Sequence, residues 1–178
     1  RIFQAKGHEY TLSELLAGDE IMVEKYRDGR FATLYLSPRD YHRIHMPASG
    51  KLNTMRYVPG RLFSVATHTV NHIPRLFARN ERCICNFETD FGDMALILVG
   101  AINVSAIETV WHGLVKGRGV TDFDVQPRQV ELVRGAEMGR FNLGSTVIVL
   151  LPSGMEWDGS IRAGSPVKLG QSLAHSAG

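Results

Sequence analysis

Residues 94–111, MALILVGAINVSAIETVW, constrain the fold more than any other stretch of the 178-residue chain. An apolar run of this length either crosses a membrane or is buried inside protein. It contains Gly100, Asn103, Ser105 and Glu108 and is rich in Ile and Val, which favours two buried strands broken near Gly100 over a membrane helix. With the preceding ERCICNFETDFGD, residues 81–100 read as a hairpin whose turn lies near TDFGD. A strand apolar at consecutive positions needs a protein layer against each face.

The remaining segments supply those layers. GRFATLYLSP (29–38) alternates and ends at Pro38, GKLNTMRYVPG (50–60) lies between glycines, and GSTVIVLLP (144–152) is β-branched and apolar. A further strand is expected through INVSAIETVW. TLSELLAG (11–18) predicts a short helix, with capping-box spacing between Thr11 and Glu14 and a stop at Gly18. The tail, 158–174, predicts short strands separated by Gly and Pro. The expectation is one α+β, β-rich domain over 1–178, with antiparallel sheets in a sandwich or barrel-like arrangement and a few short helices.

Charge and cysteines narrow the function. Twenty basic and 18 acidic residues give a net charge of +2, too balanced for a nucleic-acid partner. Cys83 and Cys85 would share one face of a strand as buried thiols, which fits a reducing compartment. The chain begins at Arg1 with no signal peptide, so it reads as a fragment, a processed form or a partial chain.

Two places concentrate chemistry. In SPRDYHRIHMP (37–47), His42 and His45 are three apart, a spacing that on a helical turn puts both imidazoles on one side. Zinc would need a third ligand, such as Asp40 or the His68/His72 pair; nothing fixes one, and no metal site is assigned. Acid–base work and a solvated surface loop are the other readings of the pair. The second place is GRFNLGSTVIVLL (139–151). A serine after a glycine can attack the preceding carbonyl once a base takes its proton, turning the peptide into an ester. Elimination of that ester leaves dehydroalanine, and hydrolysis then gives a pyruvoyl group at a new N-terminus. As a tetrapeptide, LGST is also an ordinary turn.

Taken in order, YLSPRDYHRIHMP, LFARNERCICNFETDFGDMALILVGA, IETVW and GAEMGRFNLGSTVIVL resemble the phosphatidylserine decarboxylases, closest to the bacterial membrane-associated type. The resemblance runs from IFQAKGHEYTLSELLAG to about Leu151 and thins through VKLGQSLA. It implies a self-cleaving proenzyme, cut between Gly144 and Ser145 into a larger β chain and a smaller α chain whose pyruvoyl group derives from Ser145. It further implies that His45 is the base that activates Ser145 and that His42 serves the decarboxylation, as proton donor to the carbanion. Phosphatidylserine would become phosphatidylethanolamine and carbon dioxide. The pyruvoyl carbonyl is the electron sink, in the place pyridoxal phosphate usually fills. The family's triad aspartate lies N-terminal to all these motifs and is expected outside this chain, as are its membrane-associating helices. Implied partners are phosphatidylserine, a membrane surface and the chain's own cleavage products, with a homodimer compatible, at the cytoplasmic face of a bacterial inner membrane. The alternatives are a pyruvoyl decarboxylase of a soluble amino acid and an inactive lipid-binding relative. His8, His112 and His175 receive no role, His68 and His72 a structural or substrate-pocket one, and Arg79 or Arg82 either a phosphate or surface ion pairs.

Overall fold

The structure, a computed structural model, describes residues 1–102, 106–142 and 144–177. A hairpin opens the chain (β1, Ile2–Ala5; β2, His8–Tyr10), followed by helices α1 (Leu12–Leu15) and α2 (Glu20–Tyr26). The expected capping box closes α1: Thr11 accepts from the Glu14 amide at 3.1 Å, and the Thr11 amide donates to the Glu14 carboxylate at 2.8 Å. Helix α2 was not expected from sequence; Asp19 caps it through the Met22 amide, and Met22 and Tyr26, one turn apart, are its buried face.

Strand β3 (Arg30–Leu36) leads through the SPRD turn to β4 (Arg43–His45) and β5 (Gly50–Val58). Helices α3 (Thr67–Val70) and α4 (Leu76–Arg79) precede the hairpin of β6 (Arg82–Thr89) and β7 (Gly92–Val99), at the expected place. There follow β8 (Ile107–Thr109), β9 (Gly113–Leu114), β10 (Thr121–Phe123), β11 (Glu131–Leu132), β12 (Glu137–Phe141) and β13 (Ser145–Leu151). Strands β14 (Met155–Trp157) and β15 (Ala174–Ser176) pair with each other.

The central sheet is antiparallel, in the order β10-β5-β6-β7-β13-β3, with β11 added on β5. A smaller antiparallel sheet, β4-β12-β8-β9, covers one face. The helices and the first hairpin cover the other. Alternation along β13 shows the division: Val147, Val149 and Leu151 pack toward the small sheet, Ile148 and Leu150 toward the helices. Because both faces are covered, MALILV is apolar at every position, and all six of its residues are 1% exposed or less. Cys83 and Cys85 are fully buried free thiols on the small-sheet side, their sulfurs 3.7 Å apart.

This is the expected α+β, antiparallel, β-rich class, as a layered sandwich; the described residues form no closed barrel. Three expectations need correction. The strand sought over 102–111 is β8 alone and belongs to the small sheet; residues 103–105 of that reading lie outside the described ones. The tail has turns where short strands were expected, because its Gly- and Pro-rich run offers few side chains to pack, and its one strand begins at Ala174. His42 and His45 do not lie on a helical turn: β4 pairs with β12, so the backbone there is extended.

Candidate active site

Register places the candidate residues at one end of the sandwich. Ser145 opposes Leu36, and Thr146 lies in one cross-sheet row with Tyr35, Val99, Arg82 and Val58. In the small sheet Phe141 opposes Ile107, its amide donates to the His42 carbonyl at 3.0 Å, and the Val115 amide donates to the Ile107 carbonyl at 2.9 Å. Only residues 142–144 separate Phe141 from Ser145, so the two sheets meet here.

Gly144 is fixed by crowding. A Cβ there would lie 2.9 Å from the Leu36 carbonyl oxygen and 2.9 Å from the Pro38 nitrogen, both backbone atoms. Ser145 follows, 0% exposed, and its Oγ is buried without a hydrogen-bond partner. By alternation it shares the face of Val147 and Val149, toward the small sheet. Thr146 Oγ1 is likewise buried and unpaired. An unpaired buried hydroxyl costs about 1–3 kcal/mol. Tyr10, Thr33 and Thr109 carry such hydroxyls too, but Ser145 and Thr146 place two in succession at a strand's first residues.

The SPRD turn links this point to His42. The Ser37 carbonyl accepts from the Asp40 amide at 2.9 Å and from His42 Nε2–H at 2.9 Å, while the Ser37 amide donates to the Asp40 carboxylate at 2.7 Å. Hydrogen bonds from Ser37, then the nearby His42 charge, hold the exposed Asp40 carboxyl below its ordinary range. Residues 36–38 thus touch Gly144 on one side and hold the His42 ring on the other.

His45 is held elsewhere. Its Nδ1–H donates to the Gly135 carbonyl at 2.7 Å, so the Nε2 of the neutral ring accepts from the Tyr41 hydroxyl at 2.8 Å, and the two rings stack at 5.6 Å. It opposes Glu137, at the end of β4 away from Phe141, roughly 10 Å of extended chain beyond His42. The fold brings together Gly144, Ser145 and, through Ser37, His42; His45 approaches the same motif through Tyr41. Neither imidazole hydrogen-bonds Ser145 Oγ.

The other candidates make contacts of their own. Arg82 is 3% exposed and donates to the carbonyls of Leu15, Ala78, Asn80 and Glu14 at 2.7–2.9 Å, so it meets neither phosphate nor a surface carboxylate. Burial pushes its guanidinium down to about 10, so it stays charged at neutral pH. Arg79 stacks over Phe63, its guanidinium carbon 4.9 Å from the ring centre. The rings of His68 and His72 lie tilted against each other at the surface, 4.5 Å apart, and the His68 carbonyl accepts from His72 at 2.7 Å. No cluster of metal-ligating side chains occurs among the described residues.

Sequence reasoning passed over Ser37, Tyr41 and Gly135. The first two stand inside the quoted motif, but their roles depend on a turn. Gly135 lies 90 residues from His45, and no local signal marks it.

The site thus consists of a buried serine behind a glycine that admits no side chain, beside a histidine-bearing turn. A family profile, phosphatidylserine decarboxylase, matches residues 1–175. Among curated proteins, the chain is similar to the phosphatidylserine decarboxylase proenzyme of Pseudomonas fluorescens (53% identical over 97% of this chain and 62% of the relative). Similar proteins of the same name occur in Xanthomonas euvesicatoria (54% identical over 98% and 63%) and Ectopseudomonas mendocina (51% over 99% and 64%). The chain belongs to the phosphatidylserine decarboxylase family. It spans a little under two thirds of the length of these relatives.

Proposed function

We propose that this chain is the catalytic domain of a self-cleaving decarboxylase that converts phosphatidylserine to phosphatidylethanolamine and carbon dioxide. The observation that carries the reading is the unpaired, buried Ser145 Oγ directly after Gly144, a residue with no room for a Cβ. The relatives' printed name, phosphatidylserine decarboxylase proenzyme, supports both the substrate and a processing step.

The chain's own groups divide the work. Ser145 Oγ attacks the Gly144 carbonyl and converts the peptide to an ester; loss of the Ser145 Cα proton expels the Gly144 carboxylate and leaves dehydroalanine, and water then displaces its nitrogen as ammonia to leave a pyruvoyl group where Ser145 stood. That group supplies the carbonyl that draws off the electron pair when carbon dioxide departs. A Cβ-free residue before it and an uncommitted hydroxyl within it fit its formation here. His45 takes the Ser145 proton at Nε2. The Gly135 carbonyl fixes the tautomer that leaves Nε2 unprotonated, and Tyr41 must release it first. His42, anchored beside Gly144 by Ser37, returns a proton to the carbon that lost carbon dioxide. The products of the cut, a β chain ending at Gly144 and an α chain from residue 145, stay joined by the pairing of β13 with β3 and β7. The partners are phosphatidylserine and a membrane surface, peripheral at the cytoplasmic face of a bacterial inner membrane, with a homodimer compatible. No helix among the described residues is long and apolar enough to cross a membrane.

Carbon dioxide release from phosphatidylserine vesicles tests this, with free serine and aspartate as competing substrates and borohydride to destroy a pyruvoyl carbonyl. Turnover of the lipid alone, abolished by borohydride, is expected. Turnover of free amino acids would favour a soluble-substrate decarboxylase. A processed protein that binds lipid without turnover would favour an inactive relative.

A further inference from the structure

We propose that Glu81 is the base that takes the Cα proton of residue 145 once the serine ester has formed, an inference that rests on the self-cleavage reading above. That chemistry removes two protons from one residue. The hydroxyl proton leaves on the small-sheet face, where His45 is its base. The Cα proton leaves in a different direction and needs a base there.

Register gives that direction. Arg82, Val99 and Thr146 share a cross-sheet row, so the next row runs through Glu81, Gly100 and Ser145. The Gly100 amide donates to the Glu81 carbonyl at 2.8 Å, and the Gly100 carbonyl accepts from the Asn80 side-chain amide at 2.9 Å, so both polar groups of Gly100 turn away from β13. Gly100 and Ser145 are then a non-hydrogen-bonded antiparallel pair. In such a pair the two Cα atoms stand about 4.5 Å apart, and their Cα–H bonds point at each other across the gap. The Ser145 Cα–H therefore faces Gly100.

Glu81 reaches this gap because Gly100 leaves it empty. Glu81 Oε1 accepts from the Tyr57 hydroxyl at 2.7 Å, on the small-sheet face that Ser145 shares. Its Oε2 stands 3.5 Å from where a Gly100 Cβ would be. Opposed Cβ positions are about 5 Å apart in such a pair, so one side-chain position separates this oxygen from residue 145. Among the described residues Oε2 accepts no hydrogen bond and Glu81 meets no cation. Tyr57 thus anchors one oxygen and leaves the other uncommitted. Asp40, the other carboxylate near Gly144, is exposed and accepts from the Ser37 amide. In the step itself, Glu81 takes the Cα proton and becomes neutral, and the C–H electron pair closes the Cα=Cβ bond. The Cβ–O bond breaks with its pair on the departing Gly144 carboxylate. Dehydroalanine remains, and Glu81 passes its proton to water.

The test is the intact mass of the natural gene product carrying Glu81→Gln, after native incubation with and without hydroxylamine, a reagent that splits esters and spares ordinary peptide bonds. Pyruvoyl formation should slow at least about a hundredfold, the low end of what a positioned base contributes. Hydroxylamine should divide the uncut chain after Gly144 and release an α chain that begins with unmodified Ser145, whereas Ser145→Ala should resist. Gly100→Ala is the second variant: a Cβ there meets its neighbours at 3.5 Å, an ordinary contact, so the fold admits it. By filling the gap it should give the same hydroxylamine-sensitive chain, whether or not Glu81→Gln folds. Pyruvoyl formation at the wild-type rate in either variant overturns the proposal. So does a Glu81→Gln chain, folded by circular dichroism, that stays uncut and resists hydroxylamine, because Glu81 would then act before the ester. Each of these results with a wild type that cleaves rejects Glu81 alone; a wild type that stays whole rejects the self-cleavage reading beneath it.

Discussion

The two ends of the central sheet are built on opposite terms. At the far end the β6–β7 turn is conventional: Gly92 takes φ +104, a Cβ there would meet nothing nearer than Pro152 at 3.4 Å, and Thr89 Oγ1 donates to the Gly92 carbonyl at 2.5 Å. At the near end Gly144 is crowded by the backbone of residues 36–38, and the hydroxyls of Ser145 and Thr146 are buried without partners. One row away, Arg82 is just as buried, yet four carbonyls receive its protons. Tyr10, Thr33 and Thr109 also carry buried unpaired hydroxyls, and what sets the place where chemistry is proposed apart is a crowded glycine directly before two successive ones.

That contrast can be broken by substitution. The largest effect should come from Arg82→Met, which leaves four inward carbonyls without their donor; about 4 kcal/mol of stability should be lost in urea unfolding. A loss below about 1 kcal/mol would mean that Arg82 anchors nothing. Gly144→Ala should cost about 2 kcal/mol through overpacking and should also stop cleavage. Its counterpart, Gly92→Ala, forces a side chain into positive φ and should cost about 1 kcal/mol, but electrophoresis should show unchanged processing. Equal loss of cleavage in both glycine variants would erase the distinction between the ends.

The smallest effect is a matter of pH. The Asp40 carboxyl is depressed by its bonds from Ser37, so its contribution is complete above the unfolded value and is lost as pH falls through the lower folded one. Asp40→Asn should therefore differ from wild type by a constant small amount from neutrality down to about pH 4, and the difference should close below that. A gap that widens in acid would contradict the Ser37 clamp.

Much of this scaffold could be read from residue order. The hairpin of β6 and β7, the capping box at Thr11 and the strand that starts at Ser145 follow from periodicity, turn residues and spacing, all local properties. Helix α2 was missed: its signals, the Asp19 cap and the Met22–Tyr26 pair, are local but weak in so short an element. The site was harder. The spacing of His42 and His45 fits a helical turn as well as a strand, and only the pairing of β4 with β12 decides. The Gly135 carbonyl that orients His45 lies in a distant loop, and the carbonyls that hold Arg82 belong to helix ends whose placement is tertiary.

The central claim is that Ser145 breaks the bond before it, and the intact mass of the natural gene product under denaturing conditions tests this most directly. The account predicts two chains, one ending at Gly144 and one beginning with a pyruvoyl group at position 145, and a single uncut chain for Ser145→Ala. A wild-type protein that stays whole with Ser145 unmodified, or a Ser145→Ala variant that still divides at this bond, would contradict it.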